Sequence, residues 1–318
     1  MAEDKTASGR TLREVSPPAH VESARVESRS VASSCAVVLR ACRPRQWSKN
    51  VLVFAAPAAA GWLDRMDIAA EAAGAFLALC MVSSATYLVN DVRDREQDRE
   101  HPRKRLRPVA AGELSPRAAL WTAAALAVAG IALAAAIAPG LGALACGYLV
   151  LTASYSLWLR RVVVLDILIV AAGFVIRALA GGVATDVYLS HWFLIVTACC
   201  AIFLVAAKRY AELRAHAGAD PARQTLRRYS LGHLRLTIAM SATAAGVAYA
   251  SWAFTRPAHI AWYGLSIVPL VLWLGRYSML IGRGGGQAPE ELILSDRTLL
   301  ALGVAWSVLF LGGVYVGA

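Results

Sequence analysis

Residues 68–98 read IAAEAAGAFLALCMVSSATYLVNDVRDREQD, and a change of character inside this stretch decides the fold. The first part, 68–90, is apolar, with Glu71 as its one charge. Its length matches the roughly 20 residues that cross a bilayer as a helix. The last part turns abruptly polar, with Asn90, Asp91, Asp94 and Asp98 in an NDxxDxxxD pattern. The stretch is therefore a membrane span that delivers carboxylates to one membrane surface.

If the helix continues, 91 to 94 is i+3 and 94 to 98 is i+4, so three carboxylates and an amide oxygen line one stripe. Like charges stacked in this way repel. A hard divalent cation removes the repulsion, and magnesium prefers oxygen ligands, which it bridges to substrate phosphates. The alternative is a charged helix end that Arg93, Arg95 and Arg99 neutralise by i,i+4 pairing. Directly beyond lies HPRKRLRP at 101–108, where Arg103, Lys104, Arg105 and Arg107 place four cations in five residues. Guanidinium forks grip phosphate oxygens bidentately and ammonium groups act as point charges. Such a loop also suits anionic lipid headgroups. Its position beside the carboxylates favours a polyphosphate site.

Outward from this stretch the chain repeats the pattern of apolar runs and polar connections. Of its 318 residues, 58% are hydrophobic and 17% charged, against roughly 45–50% and about 25% in soluble domains. This excludes a secreted disulfide scaffold, a coiled coil, a disordered protein and an ordinary cytosolic enzyme. Nine spans are predicted, at 50–62, 68–90, 117–137, 140–158, 162–182, 191–208, 236–255, 260–281 and 298–316, giving an all-α polytopic membrane protein. Span 50–62 is short and reaches back toward the amphipathic stretch around Trp47. Residues 1–36 are rich in Ser, Glu, Arg and Pro, and are expected to form a disordered tail ahead of one transmembrane domain, 37–318. No apolar core follows a short basic start, so no cleavable signal peptide is expected.

The net charge of +11 raises nucleic-acid binding, but the layout assigns it elsewhere. Of the 32 Lys and Arg, 29 fall on one side of the predicted spans, including Arg160 and Arg161. Arg65 and Arg256 fall on the other side, and Arg177 lies inside a span. Such asymmetry places the basic side and the N-terminus in the cytoplasm. The charge is mostly topology, and no nucleic acid is implied. The six cysteines, Cys35, Cys42, Cys80, Cys146, Cys199 and Cys200, show no metal spacing and read as buried thiols.

Further constellations stand at the same side. Lys208, Arg209, Tyr210 and Glu212 end the sixth predicted span, with Arg209 and Glu212 at i,i+3 and Lys208 and Glu212 at i,i+4. A helix-end salt bridge with interface anchors accounts for them structurally. Arg45, Trp47 and Lys49 precede the first span and fit the same anchoring. Tyr155, Asp166 and Arg177 surround the fifth. Asp166 and Arg177 face the same way but are about 16 Å apart along a helix axis, too far to pair directly. Intramembrane ionisable groups are functional candidates, and for Arg177 an interhelical tie is an equal alternative.

NDxxDxxxD followed by HPxKRxRP, in a basic chain of about nine spans, resembles the UbiA superfamily of intramembrane prenyltransferases. The resemblance covers 43–316. Within it, RPRQWSKNVLVFAAP at 43–57, YLVNDVRDREQDREHPRKRLRP at 87–108, IRALAGGVAT at 176–185 and KRYAEL at 208–213 are closer to the branch that moves phosphoribose than to the aromatic prenyltransferases. The ordinary members carry a second Asp-rich motif where this chain has Lys208–Glu212. The resemblance implies transfer of 5-phosphoribose from phosphoribosyl pyrophosphate to a polyprenyl phosphate, decaprenyl phosphate in particular, as a precursor step for cell-wall arabinan. It implies Mg2+ on Asn90, Asp91, Asp94 and Asp98, with the three aspartates catalytic. It further implies substrate contacts from Arg45, Lys49, Asn90, Arg103, Lys104, Arg105, Arg107, Tyr155, Asp166, Arg177, Lys208, Arg209, Tyr210 and Glu212. The expected setting is the inner (plasma) membrane, surrounded by membrane lipids, with the site facing the cytoplasm; a homo-oligomer stays open. The rivals are an aromatic prenyltransferase of quinone synthesis and, from another class, a transporter of anionic solutes.

Overall fold

A computed structural model of the chain describes residues 35–157, 162–215, 228–256, 259–286 and 289–316. All regular structure among them is helical. Eight long helices run through these residues: α1 (Met66–Arg93), α2 (Pro116–Ile137), α3 (Pro139–Leu157), α4 (Val163–Ala184), α5 (His191–Ala215), α6 (Leu231–Phe254), α7 (Ile260–Gly282) and α8 (Arg297–Tyr315). Six of them, α1, α2, α4, α5, α7 and α8, are long and apolar enough to cross a membrane. The chain is a multi-pass membrane protein.

Local signals explain the boundaries. Pro116 and Pro139 open α2 and α3, where a missing N–H costs nothing because the first-turn donors have no intrahelical partner. Ser115 caps α2 by accepting from the Ala118 N–H at 3.2 Å, and Asp296 caps α8 by accepting from Leu299 at 2.9 Å. The helices pack pairwise, α1 on α2, α5 on α6 and α7 on α8, with α4 joining the halves through α3 and α5. The interfaces of the first half are built from small residues such as Ala75, Ala78, Ala134 and Ala145, all fully buried. Between lipid-solvated helices, close backbone approach replaces hydrophobic expulsion as the packing force. Phe203, Leu234, Tyr277 and Leu299 fill the core of the second half. Trp121, Val128, Val247 and Val304 are exposed, as lipid-facing side chains are.

The first predicted span takes another form. Residues Pro44–Phe54 are a 3-10 helix running into the short α-helix Ala55–Ala59. We call this segment the strap. It lies along α4 and α1, and Asn50 and Val53 are buried under it. Two causes act. The segment carries Arg45, Gln46, Ser48, Lys49 and Asn50, which suit no lipid-facing helix. Its backbone also presses onto α4 at Gly181, where a Cβ would stand 1.9 Å from the Val53 carbonyl oxygen. Of the expected tail, 1–34 lie outside the described residues, and 35–41 are already helical.

Candidate active site

The acidic motif does not form one stripe. Helix α1 ends at Arg93, and Asp94 takes a non-helical conformation (φ −91°, ψ 11°) before the short helix Arg95–Glu100 begins. Asp91 and Asp98 therefore arrive on two elements. Both are buried, at 1% and 2% exposure. The Arg107 Nη1 group donates to Asp98 Oδ2 at 2.6 Å and to Asp91 Oδ1 at 3.2 Å. Arg43 donates to the same Asp91 oxygen. Lys104 Nζ stands 3.9 Å from Asp98 Oδ1. Asp94 pairs with Arg93 at 3.3 Å, and Asn90 faces an apolar groove between α1, α2 and α3. Cations resolve the repulsion that the linear pattern implied.

Among the described residues no three His, Cys, Asp or Glu side chains converge tightly enough to enclose a metal ion. The donor set still fits a hard cation that a substrate brings with it. Asp91 Oδ2 is buried and has no hydrogen-bond partner among the described residues, so one carboxylate oxygen is left for a ligand. Magnesium is ordinarily held by one or two carboxylates plus substrate phosphates.

Arg43 was not apparent from sequence, which pointed to Arg45. The structure puts Arg45 on the surface and turns Arg43 inward over the Tyr87 ring, 5.1 Å from its centroid. Burial pulls the Arg43 guanidinium below its ordinary value, while Asp91 holds it up. The Arg43 backbone is left-handed, φ 55°, ψ 65°, a conformation rare outside glycine and asparagine. Only the RPR spacing at 43–45 hinted at it. Arg103, Lys104 and Arg105 are exposed at the mouth, and Arg107 alone of that basic run reaches the carboxylates with a short bond.

Deeper in the bundle, Arg177 of α4 is 6% exposed. It donates to Asn50 Oδ1 (2.7 Å), the Gly173 carbonyl (2.6 Å) and the Tyr148 hydroxyl (2.7 Å). Its guanidinium also lies over the Tyr148 ring at 4.8 Å. Asn50 in turn donates to Cys80 Sγ at 3.1 Å and Ser83 Oγ at 3.4 Å. Arg177 is thus an interhelical tie between α4, α3 and the strap, and Asn50 and Tyr148 are its unforeseen partners. No carboxylate pairs with it among the described residues. The adjacent strap residue, Lys49, donates to Gln46 at 2.6 Å. Burial, then the nearby Lys208 charge, lowers its pKa to about 8. Lys49, Lys208 and Arg177 make this region strongly cationic, with Glu290 as the opposing charge.

The third cluster joins α3, α4, α5 and Tyr229. Asp166, 1% exposed, accepts from the Tyr155 hydroxyl at 2.6 Å and from Arg209 at 2.6 and 3.1 Å. Tyr229 donates to it at 3.2 Å. Arg209 also donates to Glu212 at 2.8 Å, and Arg235 donates to the Tyr210 hydroxyl at 3.1 Å. Both oxygens of Asp166 are therefore engaged by donors from three other segments. Asp166 and Arg177 do not meet. Arg209 is fully committed to carboxylates, whereas Lys208 pairs with none among the described residues. Arg160 and Arg161 lie outside the described residues.

Residues 51–301 match the model of the UbiA prenyltransferase family. Decaprenyl-phosphate phosphoribosyltransferase of Mycolicibacterium smegmatis is 41% identical over 85% of this chain and 89% of its own. The protein of the same description from Corynebacterium glutamicum is 42% identical over 88% and 87%. Among solved structures, a UbiA homolog from Archaeoglobus fulgidus bound to GPP and Mg2+ superposes with a TM-score of 0.65 at 18% identity, covering 88% of this chain and 99% of that one.

Proposed function

This chain belongs to the UbiA prenyltransferase family, and we propose that it transfers 5-phosphoribose from phosphoribosyl pyrophosphate to decaprenyl phosphate. The products are decaprenylphosphoryl-5-phosphoribose and pyrophosphate. The observation that carries this reading is identity of 41–42% along nearly the whole length of relatives so described. The local chemistry agrees with it. Where a second carboxylate cluster would suit another diphosphate-bound metal, this chain has Lys208, whose charge acts on Lys49 together with that of Arg177. Those cations suit a phosphate, either the 5-phosphate of the donor or that of the lipid.

The reaction breaks the bond between the anomeric carbon and the pyrophosphate oxygen. It forms a bond from that carbon to an oxygen of the lipid phosphate, with inversion. The acceptor is already an anion near neutral pH, so no strong general base is required. Magnesium, when bound, neutralises charge on the departing pyrophosphate. Asp91 and Asp98, with Asp94 and Asn90 at the helix end, would hold it. Arg43, Lys104 and Arg107 bind the pyrophosphate, with Arg103 and Arg105 drawing it to the mouth. Lys49 and Lys208 take the second phosphate. Arg209 is a positioning residue: tied to Asp166 and Glu212, it fixes the end of α5 and so the direction of Lys208. Rate then comes mainly from orientation and preorganised charge. The apolar helix walls accommodate the prenyl chain, and the site faces the cytoplasm of the inner membrane.

The test is transfer of label from phosphoribosyl pyrophosphate into a butanol-extractable lipid by membranes supplied with decaprenyl phosphate, with and without magnesium. Asp91→Asn and Asp94→Asn should abolish it in folded protein. No lipid label from phosphoribosyl pyrophosphate, with transfer instead from a labelled prenyl diphosphate to an aromatic acceptor, would refute the reading.

A further inference from the structure

Two buried carboxylates, Asp91 at the end of α1 and Asp98 on the short helix beyond it, are served by an excess of cations. Asp91 accepts from both Arg43 and Arg107, and Asp98 accepts from Arg107 with Lys104 nearby. Arg107 makes both contacts through a single nitrogen, Nη1, although a guanidinium carries five N–H donors. Asp91 Oδ2 stays without a partner in a buried setting, where an unused acceptor is costly. Arg43 reaches its carboxylate from a left-handed backbone, φ 55°, and such strain persists where the surroundings impose it. The arrangement has one cation more than carboxylates and is incompletely bonded.

We infer that Arg43 and Arg107 are exchangeable counter-ions, which hold Asp91 and Asp98 in the donor-free protein and turn to the pyrophosphate when a divalent cation takes the carboxylates. The electrostatics require the two ligands to arrive together. Two carboxylates against Arg43, Arg107 and Lys104 leave one positive charge in excess, so a lone divalent cation would enter a poorly solvated site that is already net positive. With a pyrophosphate present, the displaced guanidiniums gain a polyanion and the balance is restored. Metal and donor therefore bind with positive coupling, and by linkage each strengthens the other equally. This extends the pyrophosphate-donor reading and rests on it.

The experiment uses the full-length protein in detergent, with Mn2+ as a spectroscopic substitute for magnesium. Free Mn2+ is followed by electron paramagnetic resonance, with and without phosphoribosyl pyrophosphate, in wild type, Arg43→Gln, Arg107→Gln and Arg43→Lys. In wild type the donor should tighten Mn2+ binding at least tenfold. Each Gln variant should bind Mn2+ alone about tenfold tighter than wild type, on the scale of one charged contact. It should bind the donor about tenfold weaker. Arg43→Lys should retain the wild-type pattern to within a few-fold. Mn2+ affinity without donor that is unchanged or reduced in both Gln variants overturns the exchange and leaves the arginines as structural ties. If the Gln variants do not fold, wild-type Mn2+ affinity that is indifferent to donor overturns it alone. Wild type that binds no phosphoribosyl pyrophosphate, while its Gln variants still gain Mn2+ affinity, instead refutes the donor assignment and supports the exchange of metal for arginine.

Discussion

Replacing Arg209 with Met should unfold the protein more easily without removing a substrate contact. Arg209 is 5% exposed and makes three charge-assisted bonds: two to Asp166, at 2.6 and 3.1 Å, and one to Glu212 at 2.8 Å. Removing one member of a buried ion pair costs about 3–5 kcal/mol, because the partner is left charged and unpaired. The lower end applies here. The Tyr155 and Tyr229 hydroxyls continue to donate to Asp166 at 2.6 and 3.2 Å, and Glu212 is partly solvated. At about 1–2 °C per kcal/mol for a chain of 318 residues, Tm should fall by roughly 3–6 °C. Asp166→Asn combined with Arg209→Met removes the stranded charge. It should recover part of the loss, with a coupling of about 1–3 kcal/mol between the sites. The assay is thermal unfolding in detergent followed by tryptophan fluorescence, with transfer measured in parallel per folded molecule. An unchanged Tm, accompanied by a KM for phosphoribosyl pyrophosphate at least tenfold higher, would refute the reasoning and return Arg209 to the substrate.

Gly181→Ala should be severely destabilising, because the new methyl group would sit 1.9 Å from the Val53 carbonyl oxygen and force the strap off α4. Gly147→Ala, which meets nothing within 4 Å, is the control in the same melting assay. Lys49, with its pKa lowered to about 8 by burial and Lys208, is charged below that pH and neutral above it. Affinity for the substrate whose phosphate Lys49 binds should therefore weaken as pH rises through 8, and Lys49→Arg should hold it level to about pH 10, read from KM for donor and for lipid acceptor between pH 7 and 10. In intact cells, a single cysteine at 105 should be protected from an impermeant thiol reagent and one at 186 should be labelled; labelling at 105 reverses the orientation.

The sequence by itself determined the class of molecule. Apolar runs of about 20 residues, with 29 of 32 cations on one side of the predicted spans, are read against bilayer thickness and charge asymmetry, both of which are linear properties. Asp91, Asp98 and Arg107 stood out as a dense charge run at the end of a span, and Asp166, Arg177 and Lys208 as charges in or beside apolar runs, because both patterns are conspicuous in one dimension. Their partners were not. Arg43 rather than Arg45 meets Asp91 because a left-handed turn at 43 redirects the chain, and backbone conformation leaves no mark in the residue pattern. Asn50 and Tyr148 meet Arg177 across three elements, since the strap is a 3-10 segment pressed on Gly181 rather than a free span. The single acidic stripe required the helix to continue through Asp94, and it ends there. Likewise, Lys208 and Arg209 are neighbours in sequence, but successive helix positions point about 100° apart. The charge of Lys208 therefore acts on Lys49 while Arg209 is bound into the Asp166 cluster. Only the tertiary structure decided which charges neutralise each other and which stay available to a ligand, because pairing depends on distances between segments that the order of residues does not contain.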